Sequence, residues 1–133
     1  MNAMERSNLV IAKVLRLAME HGLSHWSLSF ADLNLTEEYE THFYPCIRWL
    51  QDEGLIRVGE YARTMGGIAN GNVMNIALTA RGMALLGTAF EVDGRRETVG
   101  TAVEEATKGR VETYRIGEII GGFFGGFTKS MGS

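Results

Sequence analysis

The chain has little of the chemistry that crosslinks, metal sites or catalytic centres require. Its single cysteine, Cys46, cannot form a disulfide within the chain, and its three histidines lack the spacing of zinc ligands. No Ser/His/Asp set, phosphate-binding loop or pair of catalytic acids stands out. We therefore expect no metal, no cofactor and no catalytic residue, in a non-enzymatic protein of the cytoplasm.

Long apolar runs are also missing. No segment approaches the roughly 20 apolar residues that span a bilayer as a helix. Charged residues such as Glu5, Lys13 and Arg16 interrupt the N-terminal segment, which does not resemble a signal peptide. With 133 residues, of which 45% are hydrophobic and 22% charged, the chain is large enough to bury a core. We expect one globular domain with an appendage and no transmembrane segment.

An excess of basic residues is missing as well. The chain has 13 Lys and Arg against 16 Asp and Glu, for a net charge of −3 and a pI near 5.6. Proteins that bind DNA gain much of their affinity from Lys and Arg that neutralise phosphates. The overall composition therefore does not by itself indicate a nucleic-acid partner.

The first third of the chain predicts a helix and a strand. Apolar residues recur at helical spacing between residues 3 and 21, where Asn2 is placed to cap the start and Gly22 to end the helix. Residues 25 to 30 alternate large apolar and small polar side chains, which is typical of a short strand. We interpret them as an edge strand with Trp26, Leu28 and Phe30 on one face.

Residues 36 to 53 predict helical structure that a proline interrupts. Thr36 precedes two glutamates, so its hydroxyl is placed to accept a free backbone N–H at a helix start. Pro45 then leaves two possibilities, one kinked helix or a short helix followed by a second that begins between residues 41 and 45. We prefer the second, which supplies a helix-turn-helix. Cys46 lies beside the core stripe of that helix, so we expect it to be buried.

The segment from residue 54 to 87 predicts a hairpin between two helices. Gly54 has the position of a left-handed residue that ends a helix. Residues 55 to 62 and 72 to 78 are candidate strands, joined through Gly66, Gly67 and an Asn70-Gly71 turn. Thr79 then caps a short helix that we expect Gly87 to stop.

Two segments on either side of this hairpin carry a family resemblance. They are LQDEGLI (residues 50 to 56) and LTARGMALL (residues 78 to 86), and they resemble the segments that flank the wing in MarR-type, PadR-type and YjcQ-like winged-helix proteins. The YjcQ-like family is the most similar, because its members also begin a helix as Thr36-Glu37-Glu38 does. The resemblance covers about residues 8 to 87. It implies an α+β fold with a winged helix-turn-helix domain at residues 1 to 90, and it transfers no activity.

The remaining residues predict a linker and a glycine-rich extension. Residues 91 to 100 are polar and are interpreted as the linker, and residues 101 to 133 as a helical, glycine-rich C-terminal segment. Within it, Gly117, Gly121 and Gly125 recur every four residues beside Phe124, a spacing that lets helices approach closely. We expect these four residues to mediate self-association. A membrane surface, a groove of a partner protein and a flexible tail are the alternatives.

A winged helix-turn-helix implies a surface that contacts double-stranded DNA. On the second helix and the hairpin, the side chains suited to bases and phosphates are Thr41, Tyr44, Arg48, Gln51, Arg57, Arg63 and Arg81. Local charge is less favourable, because residues 36 to 54 carry five carboxylates and one Arg, for a net charge of −4. Residues 57 to 81 carry three Arg and one Glu, or +2. The sequence therefore predicts either a small prokaryotic or phage-type DNA-binding transcription regulator that acts as an oligomer, or a winged-helix protein-interaction module without DNA binding.

Overall fold

The computed structural model describes residues 2–61, 72–92 and 94–108, which form an α+β fold. None of the helices in these ranges is long and apolar enough to cross a membrane. Two 3-10 helices lie between the first strand and the second α-helix, at Phe30–Leu33 and Glu37–His42. The other elements are α1 (Ala3–His21), β1 (Trp26–Leu28), α2 (Phe43–Asp52), β2 (Ile56–Arg57), β3 (Glu60–Tyr61), β4 (Val73–Leu78), α3 (Ala80–Gly87), β5 (Ala89–Val92), β6 (Arg95–Thr98) and α4 (Val99–Thr107).

Some of the predicted features lie outside the described residues. These are the Asn70-Gly71 turn with Gly66 and Gly67, the candidate DNA contact Arg63, and the candidate self-association residues Gly117, Gly121, Phe124 and Gly125.

The two predicted ends of α1 are confirmed. Asn2 Oδ1 accepts the backbone N–H of Glu5 at 2.9 Å, so one of the unpaired donors of the first turn is satisfied. At the other end Gly22 adopts a φ of 62°, which few side chains tolerate, and its N–H donates to the Ala18 carbonyl. The buried face of α1 carries the predicted apolar stripe, namely Val10, Ile11, Val14, Leu15 and Ala18, together with Ala12.

The main sheet is antiparallel and has β4 at its centre. β1 pairs with one side of β4, while β2 and β3 pair with the other side. The prediction of an edge strand is confirmed for Trp26–Leu28 but is wrong for Phe30, which begins a 3-10 helix. The chain turns there because Asp32 Oδ2 accepts hydrogen bonds from both the backbone N–H and the hydroxyl of Ser29, at 2.9 and 3.2 Å.

The preferred division of residues 36 to 53 into two helices is confirmed. A 3-10 helix at Glu37–His42 leads into α2, and Pro45 lies in the first turn of α2, where a missing N–H costs no helical hydrogen bond. The predicted helix start at Thr36 is confirmed, because Thr36 is the N-cap residue of the 3-10 helix, but the predicted hydrogen bond to its hydroxyl is wrong. Its hydroxyl donates to the Glu38 carboxylate at 3.2 Å and accepts no backbone N–H.

The predicted stop at Gly54 is confirmed and forms a Schellman motif. Gly54 has a φ of 77°, and its N–H donates to the Gln51 carbonyl at 2.9 Å. The N–H of Leu55 reaches back to the Leu50 carbonyl, also at 2.9 Å. Leu50 and Leu55 are both buried, so the backbone hydrogen bonds of the motif are accompanied by apolar burial of its first and last residues.

Thr79 joins the start of α3 to the end of α2. Its Oγ1 accepts the N–H of Gly82 at 2.9 Å, which is the predicted cap, and its own hydroxyl donates to the Gly54 carbonyl at 2.5 Å. The Thr79 N–H also donates to the Leu55 carbonyl at 3.1 Å. α3 approaches the backbone that follows α2 so closely that a Cβ on Gly82 would lie 2.1 Å from the Leu55 carbonyl oxygen. The end of α3 differs from the prediction, because Gly87 is its last helical residue and the chain leaves through an extended Thr88.

The interpretation of residues 91 to 100 as a linker is wrong. β5 and β6 form an antiparallel hairpin across these positions, and α4 already begins at Val99. α4 packs against α1 and α3, with Val99, Ala102 and Val103 buried in the core. Gly100 lies so close to α1 and α3 that a Cβ there would be 3.1 Å from Met19 Sδ and 3.2 Å from the Leu86 carbonyl oxygen. Residues 1 to 90 are therefore not the whole packed unit.

Gly82 and Gly87 lie in the same short helix and provide a matched pair of substitutions. We expect Gly82→Ala to lower the free energy of unfolding by about 2–4 kcal/mol, because the new methyl group displaces backbone and not a flexible side chain. Gly87→Ala meets no atom within 4 Å. It should leave stability unchanged or raise it by up to about 1 kcal/mol. Urea unfolding followed by circular dichroism measures both, and equal effects would contradict the close approach at Gly82.

Candidate nucleic-acid interface

The candidate DNA contacts within the described residues lie on four elements. Thr41 is near the end of the second 3-10 helix, Arg57 is in β2 and Arg81 is in α3. Tyr44, Arg48 and Gln51 lie along α2, as the helical spacing predicted. Their burial differs greatly, so the six described candidates do not form one exposed surface.

Tyr44 is buried, which corrects its assignment to a groove-facing surface. Only 5% of the residue is exposed, and its ring packs edge-on against Phe43 at 5.1 Å. The Tyr61 ring of β3 lies 6.0 Å away on the hairpin. The buried stripe of α2 is wider than the sequence suggested, because the neighbouring hairpin covers the side of the helix that carries Tyr44.

Gln51 lies in the junction between α2 and the hairpin. The Tyr61 hydroxyl donates a hydrogen bond to Gln51 Oε1 at 2.6 Å, and both side chains are half-buried. An amide that already accepts this bond has part of its hydrogen-bonding capacity used within the protein. The geometry therefore gives Gln51 a role in holding the hairpin.

The exposed candidates are Thr41, Arg48 and Arg57. Arg48 lies near the point where the hairpin meets α2, because it precedes Gln51 by one helical turn and Gln51 accepts the hydrogen bond from Tyr61. Burial raises the pKa of Tyr61 above its usual 10.0, while the charge of Arg48 lowers it and that of Asp52 raises it. Arg48 thus places a solvent-accessible guanidinium beside the hairpin.

Arg81 packs against the end of α2. Its Cδ lies 3.7 Å from the position that a Cβ on Gly54 would occupy, and the residue is half-buried. Its aliphatic stem therefore covers the Schellman motif, as long basic side chains often cover apolar surface.

The solvent-facing charge between residues 37 and 52 is negative. The exposed charged residues are Glu37, Glu38 and Asp52 against Arg48, which gives a net charge of −2 on this face. Glu40 is half-buried. A duplex approaching this surface meets one favourable and three unfavourable charges, and these act at long range when the salt concentration is low.

Polar contacts also join the start of α1 to α2. Ser7 Oγ and His42 Nδ1 lie 3.3 Å apart, and the Cys46 thiol donates to the Ser7 carbonyl at 3.5 Å. Cys46 is 4% exposed, which confirms its prediction as a core residue. Elsewhere His21 stacks on Trp26 with ring centroids 4.5 Å apart. In the described ranges, no three His, Cys, Asp or Glu side chains are grouped to hold a metal ion.

Tyr61 is the important residue of this region that sequence reasoning missed. It occupies the predicted strand between residues 55 and 62, where an aromatic residue is ordinary. Its partner Gln51 is ten positions earlier on another element, so no local pattern connects the two.

The Cys46 thiol should make stability depend on pH in the alkaline range. Burial raises its pKa from 9.0 to about 11, although the contact with Ser7 lowers it. Well below pH 9 the thiol is protonated in the folded and the unfolded protein, and its full contribution to the free energy of unfolding is present. As the pH rises towards 11, the unfolded thiol ionises first, so the free energy of unfolding falls by up to about 1.4 kcal/mol per pH unit.

Cys46→Ala removes this contribution and is the control for all other titrating groups. Chemical unfolding at pH 8, 9, 10 and 11 measures the free energy of unfolding of both proteins. Between pH 8 and pH 11 this free energy should fall by about 2–3 kcal/mol more in the wild type than in the variant. Parallel curves for the two proteins would contradict the assignment.

Comparison of the chain with protein-family models, with curated proteins and with solved structures gave no match. The arrangement of helices around a small antiparallel sheet is compatible with a winged-helix-like fold. The function is therefore inferred from the residues of this chain.

Proposed function

We propose that this chain is a non-enzymatic winged-helix regulator that binds double-stranded DNA through α2 and the hairpin of β3 and β4. We propose further that the chain is related to YjcQ-like winged-helix proteins and that it acts in the cytoplasm. The order of the elements supports it, because α2 leads directly into the hairpin. The strand order supports it too, since the returning strand β4 lies between β1 and β2.

The observation that carries the proposal is the exposed Arg48 beside the hairpin. α2 and β3 meet at the bond between Tyr61 and Gln51, and Arg48 lies one helical turn before Gln51 on the solvent side. Winged-helix proteins that contact a duplex with a helix and a wing need both elements on one side. Arg57, exposed in β2, adds a second positive charge near the base of the hairpin.

The contacts would be mainly to phosphates. The guanidinium groups of Arg48 and Arg57 suit phosphate oxygens, and the exposed hydroxyl of Thr41 is a further donor. Tyr44 takes no part in base readout because it is buried, and the bond from Tyr61 already occupies the Gln51 amide oxygen. Binding of this kind is weakly selective for sequence and strongly dependent on salt.

A protein-interaction module is the second candidate. The net charge of −2 on the exposed face between residues 37 and 52 favours it, because this face would attract a basic surface. Fold alone does not choose between the two functions, since one architecture carries many.

We also propose that the protein acts as an oligomer through Gly117, Gly121, Phe124 and Gly125. Two copies would present two DNA-contacting surfaces to one duplex, which raises affinity through the second contact. Glycines every four residues favour close helix packing.

Titration with duplex DNA at two salt concentrations separates the two candidate functions. Fluorescence anisotropy with a mixed-sequence duplex should show binding at about 50 mM salt that weakens about tenfold or more at 200 mM.

Arg48→Gln should weaken binding to all sequences and reduce the slope of log K against log salt by about one. Glu37→Gln combined with Glu38→Gln should strengthen binding, because two repulsive charges are removed.

Arg16→Gln is the matched control. Arg16 lies on α1 and pairs with Glu20 at 3.3 Å, so its loss should leave DNA affinity unchanged. An equal effect of the two arginine substitutions would mean that Arg48 acts through overall charge alone. Absence of binding at the lower salt concentration would overturn the DNA function and favour the protein-interaction module.

Deletion of residues 116 to 133 tests the proposed self-association. We expect the molar mass measured by light scattering to fall from that of an oligomer to that of a monomer. Substitution of Gly121 by Leu, which blocks close helix approach, should act in the same direction. A full-length protein that is already monomeric, or an unchanged mass after deletion, would contradict the proposal.

A further inference from the structure

The ladder of the hairpin that follows α2 is interrupted in its middle. Its base consists of β2 paired with Ala77 and Leu78, and its arm consists of β3 paired with Val73 and Met74. Between them, Asn75 adopts a left-handed φ of 57°, and the Gly59 N–H is shared between the carbonyls of Met74 at 3.0 Å and Asn75 at 3.2 Å. The regular alternation of side chains is therefore broken between base and arm.

Gly59 makes this interruption possible. A Cβ at that position would lie 2.7 Å from the Cβ of Asn75, which real side chains do not tolerate. Asparagine is one of the few residues that enters the left-handed region at low cost. β4 is fixed on its other side by β1, whose Leu28 pairs with the buried Val73. The irregular pair of Gly59 and Asn75 therefore leaves β3 as the strand of the arm that the base of the hairpin does not by itself fix.

The arm is attached to α2 through Tyr61. The phenol donates to Gln51 Oε1 at 2.6 Å, and the ring lies 6.0 Å from the Tyr44 ring with an interplanar angle of 45°. Tyr44 is itself held in the core beside Phe43. The attachment thus combines one short hydrogen bond with an aromatic contact to a fixed partner.

We infer that Tyr61 and Gln51 form a positioning pair that holds the hairpin arm against α2, so that the arm and Arg48 meet a DNA duplex as one rigid surface. The inference deepens the proposed function and rests on it for the DNA part. Without the pair, β3 samples other positions beside β4, beyond the irregular residues Gly59 and Asn75. Binding then has to select the competent orientation, and the apparent affinity falls by the fraction of molecules in that state.

Tyr61→Phe removes the hydroxyl and keeps the ring. We expect the backbone amides of the arm to exchange about two- to tenfold faster by NMR hydrogen exchange, while the amides of α1 stay unchanged. Duplex affinity at low salt should fall by about two- to tenfold. The salt slope should stay that of the wild type, because no phosphate contact is removed.

Gln51→Leu should produce the same changes, and the double variant should be no weaker than either single variant, because both remove one shared interaction. Thr88→Val is the matched control. It also removes one hydroxyl hydrogen bond, from Thr88 to the Ala84 carbonyl at 2.6 Å, but at the end of α3. It should change neither arm exchange nor DNA affinity.

The two parts of the experiment fail separately. Unchanged exchange in the arm of Tyr61→Phe would overturn the attachment, whatever the DNA result. Faster exchange with unchanged duplex affinity, or additive losses in the double variant, would overturn the positioning role. A wild type that binds no duplex at low salt would overturn the proposed function and the DNA part of the inference, while the exchange data still decide whether the pair holds the arm.

Discussion

The contact between the end of α2 and the start of α3 is the constraint on which the rest of the fold depends. Thr79 bonds to Gly82, Gly54 and Leu55 at once, so a single side chain and its N–H satisfy polar groups at two helix termini. The absence of a side chain at Gly82 allows the two backbones to touch. Because α2 and β4 both end at this contact, it also sets where the hairpin begins and returns.

This contact sets the position of the hairpin, but it does not set the position of β3. β4 stays in the sheet between β1 and the hairpin strands, whereas the irregular residues Gly59 and Asn75 separate β3 from the regular pairing of β2. Gln51 and Tyr44 of α2 then contact Tyr61 and hold β3 against the helix. Tyr44 and Gln51, whose types suit DNA contacts, therefore serve the packing of the protein, and the exposed surface left for a partner is smaller than the helical spacing suggested.

The local signals in the sequence were sufficient for most helix ends but not for long-range packing. Asn2, Gly54 and Thr79 were predictable because caps depend on a few neighbouring residues. Tyr44 was misplaced because its burial depends on Tyr61, which no local pattern connects to it. Residues 91 to 100 were misread because a polar hairpin resembles a linker until the packing of α4 behind it is known. The acidic character of the candidate interface, by contrast, was predictable from charge alone.

The return of α4 to α1 has a consequence for the order of events during synthesis. α1 is made first, yet Val99 and Val103, which help to bury the same core, are made almost a hundred residues later. Contacts between such distant parts of a chain form late, because a long loop must close before they contribute. A nascent chain that has completed the sheet and α3 still exposes apolar surface on its first helices.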